Sequence, residues 1–180
     1  MEIWKMRSLQ KWSVILVFMV GILGCNQKST LSFKPNSEPD GFAGMKWATE
    51  FSEVKSDMVE SRSVSNPSEP DVKIKSFYTK KGDNFRMGES QLDKIEYGFW
   101  KGRFAEVQIT ATGPGNLNHL KKVLFEKYGT VDKPVQGAYP WYGSVTHIAL
   151  RYDEPTKIAL LTIASTKLIN QELQEMVDKD

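Results

Sequence analysis

The sequence predicts an α+β domain, an antiparallel sheet with helices packed on one face, carried behind a segment of quite different composition. Three observations support this. The stretch "LDKIEYGFWKGRFAEVQITATG" alternates apolar and polar residues with period two on both sides of a turn. Leu117, Leu120, Leu124 and Tyr128 recur at the spacing of one helix face. The order of elements is helix then strands, helix then strands, helix, which suits meanders rather than parallel crossover units.

The chain begins with a basic stretch in which Lys5, Arg7 and Lys11 outnumber Glu2, followed by the apolar run "VILVFMVGILGC" from Val14 to Cys25. From Val14 to Gly24 this run would measure about 16 Å as a helix, against about 30 Å of hydrocarbon in a bilayer. It is too short to span and has the charge and length of a secretory signal peptide. Residues 1–24 are therefore expected to be a signal peptide, removed from the mature chain.

The end of the run, Ile22-Leu23-Gly24-Cys25, resembles the lipobox of bacterial lipoprotein precursors. That resemblance implies diacylglyceryl attachment to the Cys25 sulfur, cleavage just before it, and acylation, typically by palmitate, of the freed amine. Two or three acyl chains anchor a protein stably where one alone is marginal. In the same family an Asp after the cysteine favours inner-membrane retention. Asn26 stands there, which implies the periplasmic face of the outer membrane if the host is Gram-negative. An ordinary signal peptide with a coincidental cysteine and an uncleaved N-terminal anchor are the other readings of the residues.

Cys25 is the only cysteine. Once it carries lipid, no thiol is left for a disulfide, a metal or a nucleophile. Removing residues 1–24 takes away three basic residues and one acidic one, leaving 21 of each sign. A balanced charge on an exported chain argues against a nucleic-acid partner.

Residues 26–40, "NQKSTLSFKPNSEPD", hold little apolar content and two prolines. They are expected to form, with the lipidated Cys25, a flexible tether over 25–40 that lifts the domain off the membrane. Residues 41–180 are long enough for one core and are expected to be a single globular domain.

Within that domain Thr49 is placed to cap a short helix carrying Phe51, Val54 and Met58 on one face, with Glu50 and Glu53 near its N-terminus. "SRSVSNPSEP" reads as an exposed loop. "VKIKSFY" (Val72 to Tyr78) alternates as a strand, and Gly82 and Asn84 mark a turn. The hairpin follows, with Ile95, Tyr97 and Phe99 on one side, a turn around Trp100 to Arg103, and Ala105, Val107 and Ile109 on the return. Asn116 is the expected cap of the second helix and Gly129 its stop. A short strand near Trp141, a strand from Val145 to Tyr152, a turn at Asp153 to Thr156 and a strand from Lys157 to Ala164 come next. The last helix, about Thr166 to Val177, presents Leu168, Ile169, Leu173, Met176 and Val177. The two helix-plus-meander halves are open to reading as a diverged duplication.

The domain also resembles, more loosely, small outer-membrane lipoproteins of the BamE/SmpA type, in which a Gly-Met pair opens a short helical segment followed by an antiparallel sheet. Gly44-Met45 stands before the first helix here, followed by Lys46 rather than the usual Thr. The resemblance is one of architecture and transfers no functional residue.

No catalytic pattern stands out. His119 and His147 are the only histidines, and neither sits at metal-ligand or triad spacing. His119 is expected to face solvent or bond locally, and His147 to point away from the apolar face of its strand. Glu50 with Glu53 fits helix-dipole pairing, and Asp153 with Glu154 fits turn chemistry. "GPGN" before the second helix lacks the Lys-Ser/Thr of a phosphate loop. The chain is expected to be non-enzymatic, with no cofactor and no metal.

Aromatic residues make up 11% of the chain. Trp100 at the hairpin tip, and Trp141 with Tyr142 in a Pro- and Gly-flanked segment, are the candidate anchors for an envelope protein or glycan partner. The expected function is a lipid-anchored envelope protein that binds or scaffolds through an exposed aromatic patch or a sheet edge. The alternative is an extracytoplasmic small-ligand binder or hydrolase, which requires a concave pocket with convergent acids or a histidine.

Overall fold

The computed structural model describes residues 31–66 and 69–177, with side chains outside 66–72. Cys25 and the apolar run before it lie outside the described residues. Three helices accompany a large antiparallel sheet, so the protein is mixed α+β with the sheet dominant.

Two short strands, β1 (Gly41–Phe42) and β2 (Met45–Lys46), pair ahead of helix α1 (Phe51–Val54). Glu50, not Thr49, is the N-cap: its side chain and that of Glu53 satisfy each other's backbone amides in a capping box. The helix is shorter than the apolar spacing suggested. A 3-10 turn follows over Lys55–Asp57, and Met58 already belongs to a strand.

That strand, β3 (Met58–Asn66), pairs with β4 (Glu69–Lys80). The segment expected to be a loop is therefore a hairpin. Its signal was hidden because Ser61, Ser63 and Ser65 alternate with Arg62 and Val64, which makes no apolar face, and its order comes from the backbone ladder and from Arg62 lying over the Phe77 ring at 3.5 Å. After the small ladder of β5 (Arg86–Met87) and β6 (Ser90–Gln91), β7 (Lys94–Trp100) and β8 (Arg103–Thr112) form the central hairpin. Lys101 and Gly102 form its turn, both with positive φ, which matches the right-handed twist of the flanking strands.

Helix α2 (Pro114–Tyr128) follows, with Gly113 rather than Asn116 at its N-cap and Gly129 at its end. Asn116 lies inside the first turn, where its amide donates to Thr112 O and its oxygen accepts from the Gln91 amide. β9 (Ala138–Tyr142), β10 (Thr146–Asp153) and β11 (Ile158–Ser165) form the second meander, and α3 (Thr166–Val177) ends the described chain. The seven long strands run in the order β3-β4-β7-β8-β11-β10-β9. The second meander thus adds to β8 through its last strand, so β3 and β9 lie at opposite edges of one sheet.

The two faces of the sheet differ. On one, Tyr97, Phe99, Phe104, Val107, Ile109, Leu161, Ile163, Ile148 and Trp141 form the main core, closed by Leu120, Leu124 and Tyr128 of α2. On the other, Trp100, Ala105 and Ile74 meet Leu168 of α3. The helices therefore do not share one face, which corrects the sequence expectation that they pack on a single side of the sheet. A register shift after Gly98 adds Ala105 to the second face: Phe99 pairs with Phe104 while Gly98 pairs with Glu106, so Ala105 is the extra residue of a bulge and turns to the α3 side.

Candidate functional site

The segment expected to be free up to Asp40 is instead bound to the domain from Leu31 onward. The Tyr142 amide donates to Leu31 O at 2.7 Å, and Ser32 bridges Tyr142 in parallel. Phe33 meets the Tyr128 ring edge-on, and the Lys34 amide donates to Tyr128 O at 2.8 Å. Glu38 Oε1 then accepts from the amides of Val145 and Thr146 at 2.6 and 2.8 Å. The close approach depends on Gly143, where a Cβ would collide with the Glu38 carboxylate. Thr146 Oγ1 donates to Pro39 O, and Trp47 Nε1 donates to Thr146 Oγ1. A Ser-, Pro- and Asn-rich stretch gave no sign of this in sequence, because the bonds are made mostly by backbone and one carboxylate.

The candidate aromatic anchors separate. Trp141 is fully buried, its indole N–H donating to Gly129 O at 2.8 Å and its ring against Phe125 and Tyr128. Trp100 is 2% exposed. It lies on the α3 side, with Lys101 Nζ and the Arg103 guanidinium 5.0 and 5.2 Å from its ring centroid. The expectation that these two indoles are docking anchors is thus corrected: Pro/Gly-flanked and hairpin-tip positions read as exposed, but strand parity turns both inward. Tyr142, next to Trp141 and so on the opposite side of β9, is 58% exposed, and Val145 close by is 43% exposed.

The α3 face of the sheet carries a chain of charges. Lys75 Nζ lies 3.3 Å from Glu106 Oε1 and 2.5 Å from Glu172 Oε2 of α3. Glu96 accepts from Ser61 at 2.6 Å and pairs with Lys94 at 2.8 Å and Arg62 at 3.3 Å. Arg62 also donates to Gln108 Oε1 at 2.9 Å. Ser61 and Arg62 reach the same carboxylate because the register shift between Glu60 and Arg62 leaves Ser61 as an extra residue. Burial pushes the Glu96 carboxyl up, but the bonds from Lys94 and Ser61 and the charge of Arg62 hold it below the usual range. Each carboxylate here has a cation, an arrangement suited to fixing α3 on the sheet rather than to moving protons.

A groove of about 210 Å³ lies beside α2, lined by Gly88, Glu89, His119, Lys122, Val123 and Glu126. His119 Nε2 is 3.4 Å from Glu89 Oε2, and Lys122 Nζ 3.8 Å from Glu89 Oε1. Glu89 and Lys122 are well exposed and His119 is half-buried, so these pairs at 3.4 and 3.8 Å are weak. His147 lies on the α3 side of β10, opposite Tyr142, and burial holds its imidazole below the usual range. Among the described residues, no group of three or more His, Cys, Asp or Glu is placed to hold a metal ion. Among them also, no helix is long and apolar enough to cross a membrane.

The two sheet edges are unlike. Residues 31–32 cover the outer side of β9 at Tyr142. β3 is the last strand at the other edge, nine residues long, rich in serine and interrupted by register shifts. No family model, no curated protein and no solved structure matches the chain.

Proposed function

We propose that this chain is a lipid-anchored cell-envelope protein, attached through Cys25 and without enzymatic activity, that binds or scaffolds another envelope component. In a host with an outer membrane the anchor lies in its periplasmic leaflet. The observation that supports the reading is the docked segment 31–40, which makes the domain begin within a few residues of the lipobox-like cysteine. With Trp100 and Trp141 buried, a surface suited to an envelope protein is the β3 edge, whose outward backbone groups suit strand addition.

The test is the intact mass of the membrane-extracted mature protein beside a Cys25→Ser version, followed by fractionation. A mass starting at Cys25 plus lipid, lost with the serine, supports the anchor. Crosslinking from Val64 on β3 then identifies the bound component. An unlipidated soluble product overturns the reading.

A small-ligand or hydrolase role rests on one observation, the groove with His119 and Glu89. Its volume is below the roughly 300–1,000 Å³ of most ligand sites. Loss of a ligand-induced thermal shift on His119→Ala is the measurement that favours it.

A further inference from the structure

We infer that the domain is held with its β9 edge against the bilayer, Tyr142 and Val145 meeting the lipid headgroups, and that the β3 edge is the membrane-distal one. This rests on the lipid-anchored reading above and adds to it the surface that the membrane occupies.

The argument is one of length. Leu31 is fixed to Tyr142 by the 2.7 Å bond between the Tyr142 amide and the Leu31 carbonyl. Cys25 precedes Leu31 by six residues. Six residues reach at most about 20 Å even when fully extended. Strands lie about 4.8 Å apart, so the width of the sheet from β9 to β3 is about 29 Å. The leash is thus shorter than the sheet is wide. It originates at the β9 edge, and every allowed position keeps that edge within reach of the membrane surface.

The surface found there has the chemistry of an interfacial contact. Tyr142 is 58% exposed and Val145 is 43% exposed, although each neighbours a buried residue, Trp141 and Thr146. A tyrosine offers an apolar ring to the acyl boundary and a hydroxyl to the headgroups. The Glu38 carboxylate beside them is taken up by the amides of Val145 and Thr146, which reduces the cost of bringing it near an anionic surface. Residues 31 and 32 also occupy the outer side of β9 at Tyr142, so this edge is closed to a further strand there.

The experiment uses the full lipidated protein in phosphatidylethanolamine and phosphatidylglycerol vesicles bearing a headgroup nitroxide. Tyr142→Cys and Val64→Cys each add one thiol for a fluorophore, since Cys25 carries the lipid, and both sites are exposed enough to spare the fold. The expected result is vesicle flotation with several-fold stronger quenching at 142 than at 64. Flotation with equal quenching, or stronger quenching at 64, overturns the orientation and leaves the anchor standing. A label at 142 shielded from an aqueous quencher yet not quenched by lipid means that a second copy or another protein covers the edge, and also overturns it. Failure to float overturns the anchored reading itself and the orientation with it.

Discussion

Lys75 Nζ sits between two carboxylates, 2.5 Å from Glu172 and 3.3 Å from Glu106, with each of the three side chains 9% exposed. One carboxylate comes from the sheet and one from α3, so the ammonium joins the last helix to the strands. Removing one member leaves the remaining charges desolvated and only partly compensated.

Glu172→Gln leaves Lys75 with Glu106 and is expected to destabilise the fold by about 1–3 kcal/mol. Lys75→Met strands both carboxylates and is expected to cost more, about 3–5 kcal/mol. Urea unfolding of the two variants checks the order. Equal, negligible losses would show that α3 is seated by Leu168 and the Thr166 and Glu175 contacts rather than by Lys75.

Trp141 and Tyr142 are sequence neighbours with opposite fates. Trp141→Ala removes a fully buried indole and its bond to Gly129, at an expected cost of about 3–5 kcal/mol. Tyr142→Ala is expected to lie within about 0.5 kcal/mol of the parent. Denaturant midpoints of the two variants give the comparison. Similar losses at both positions would contradict the parity of β9.

Glu38 is the main side-chain tie between the leading segment and the domain. Glu38→Ala leaves the Val145 and Thr146 amides without their acceptor, at an expected cost of about 1–3 kcal/mol. Amide hydrogen exchange should accelerate at Val145 and Thr146 and across residues 31–40, while the protection of Val107 and Ile109 in the central hairpin is retained. Unchanged exchange over 31–40 would show that Phe33 and the backbone bonds hold the segment without it.

His147 makes stability depend on pH. Burial holds its folded-state pKa below the ordinary 6.5. As pH falls below that value the unfolded chain takes the proton first, so stability is full above 6.5 and declines until the lower folded-state pKa is passed. Comparing unfolding free energies of the parent and His147→Gln across this range should show the parent losing stability on acidification relative to the variant. Parallel curves would mean that the imidazole is hydrated in the fold.

Local pattern determined a good part of this protein. Alternation at Ile95, Tyr97, Phe99, Val107 and Ile109 specified the central hairpin, and the spacing of Leu120, Leu124 and Tyr128 specified α2, because burial of one face leaves a period in the residues themselves. The α+β class followed from those elements and their order. What carries no period was decided only by the tertiary structure. β3 carries no apolar period beyond Met58 and exists through its backbone ladder with β4. Ala105 turns to the α3 side, where the alternation of β7 already places Trp100, because a single extra residue after Phe104 shifts the register, and no local pattern announces a bulge. Residues 31–40 look like a linker and are docked by backbone bonds and one carboxylate whose partners lie about a hundred positions away. Sequence thus set which segments have a face to bury. The folded chain set which face meets which, because that depends on register and on backbone hydrogen bonds that do not discriminate among side chains.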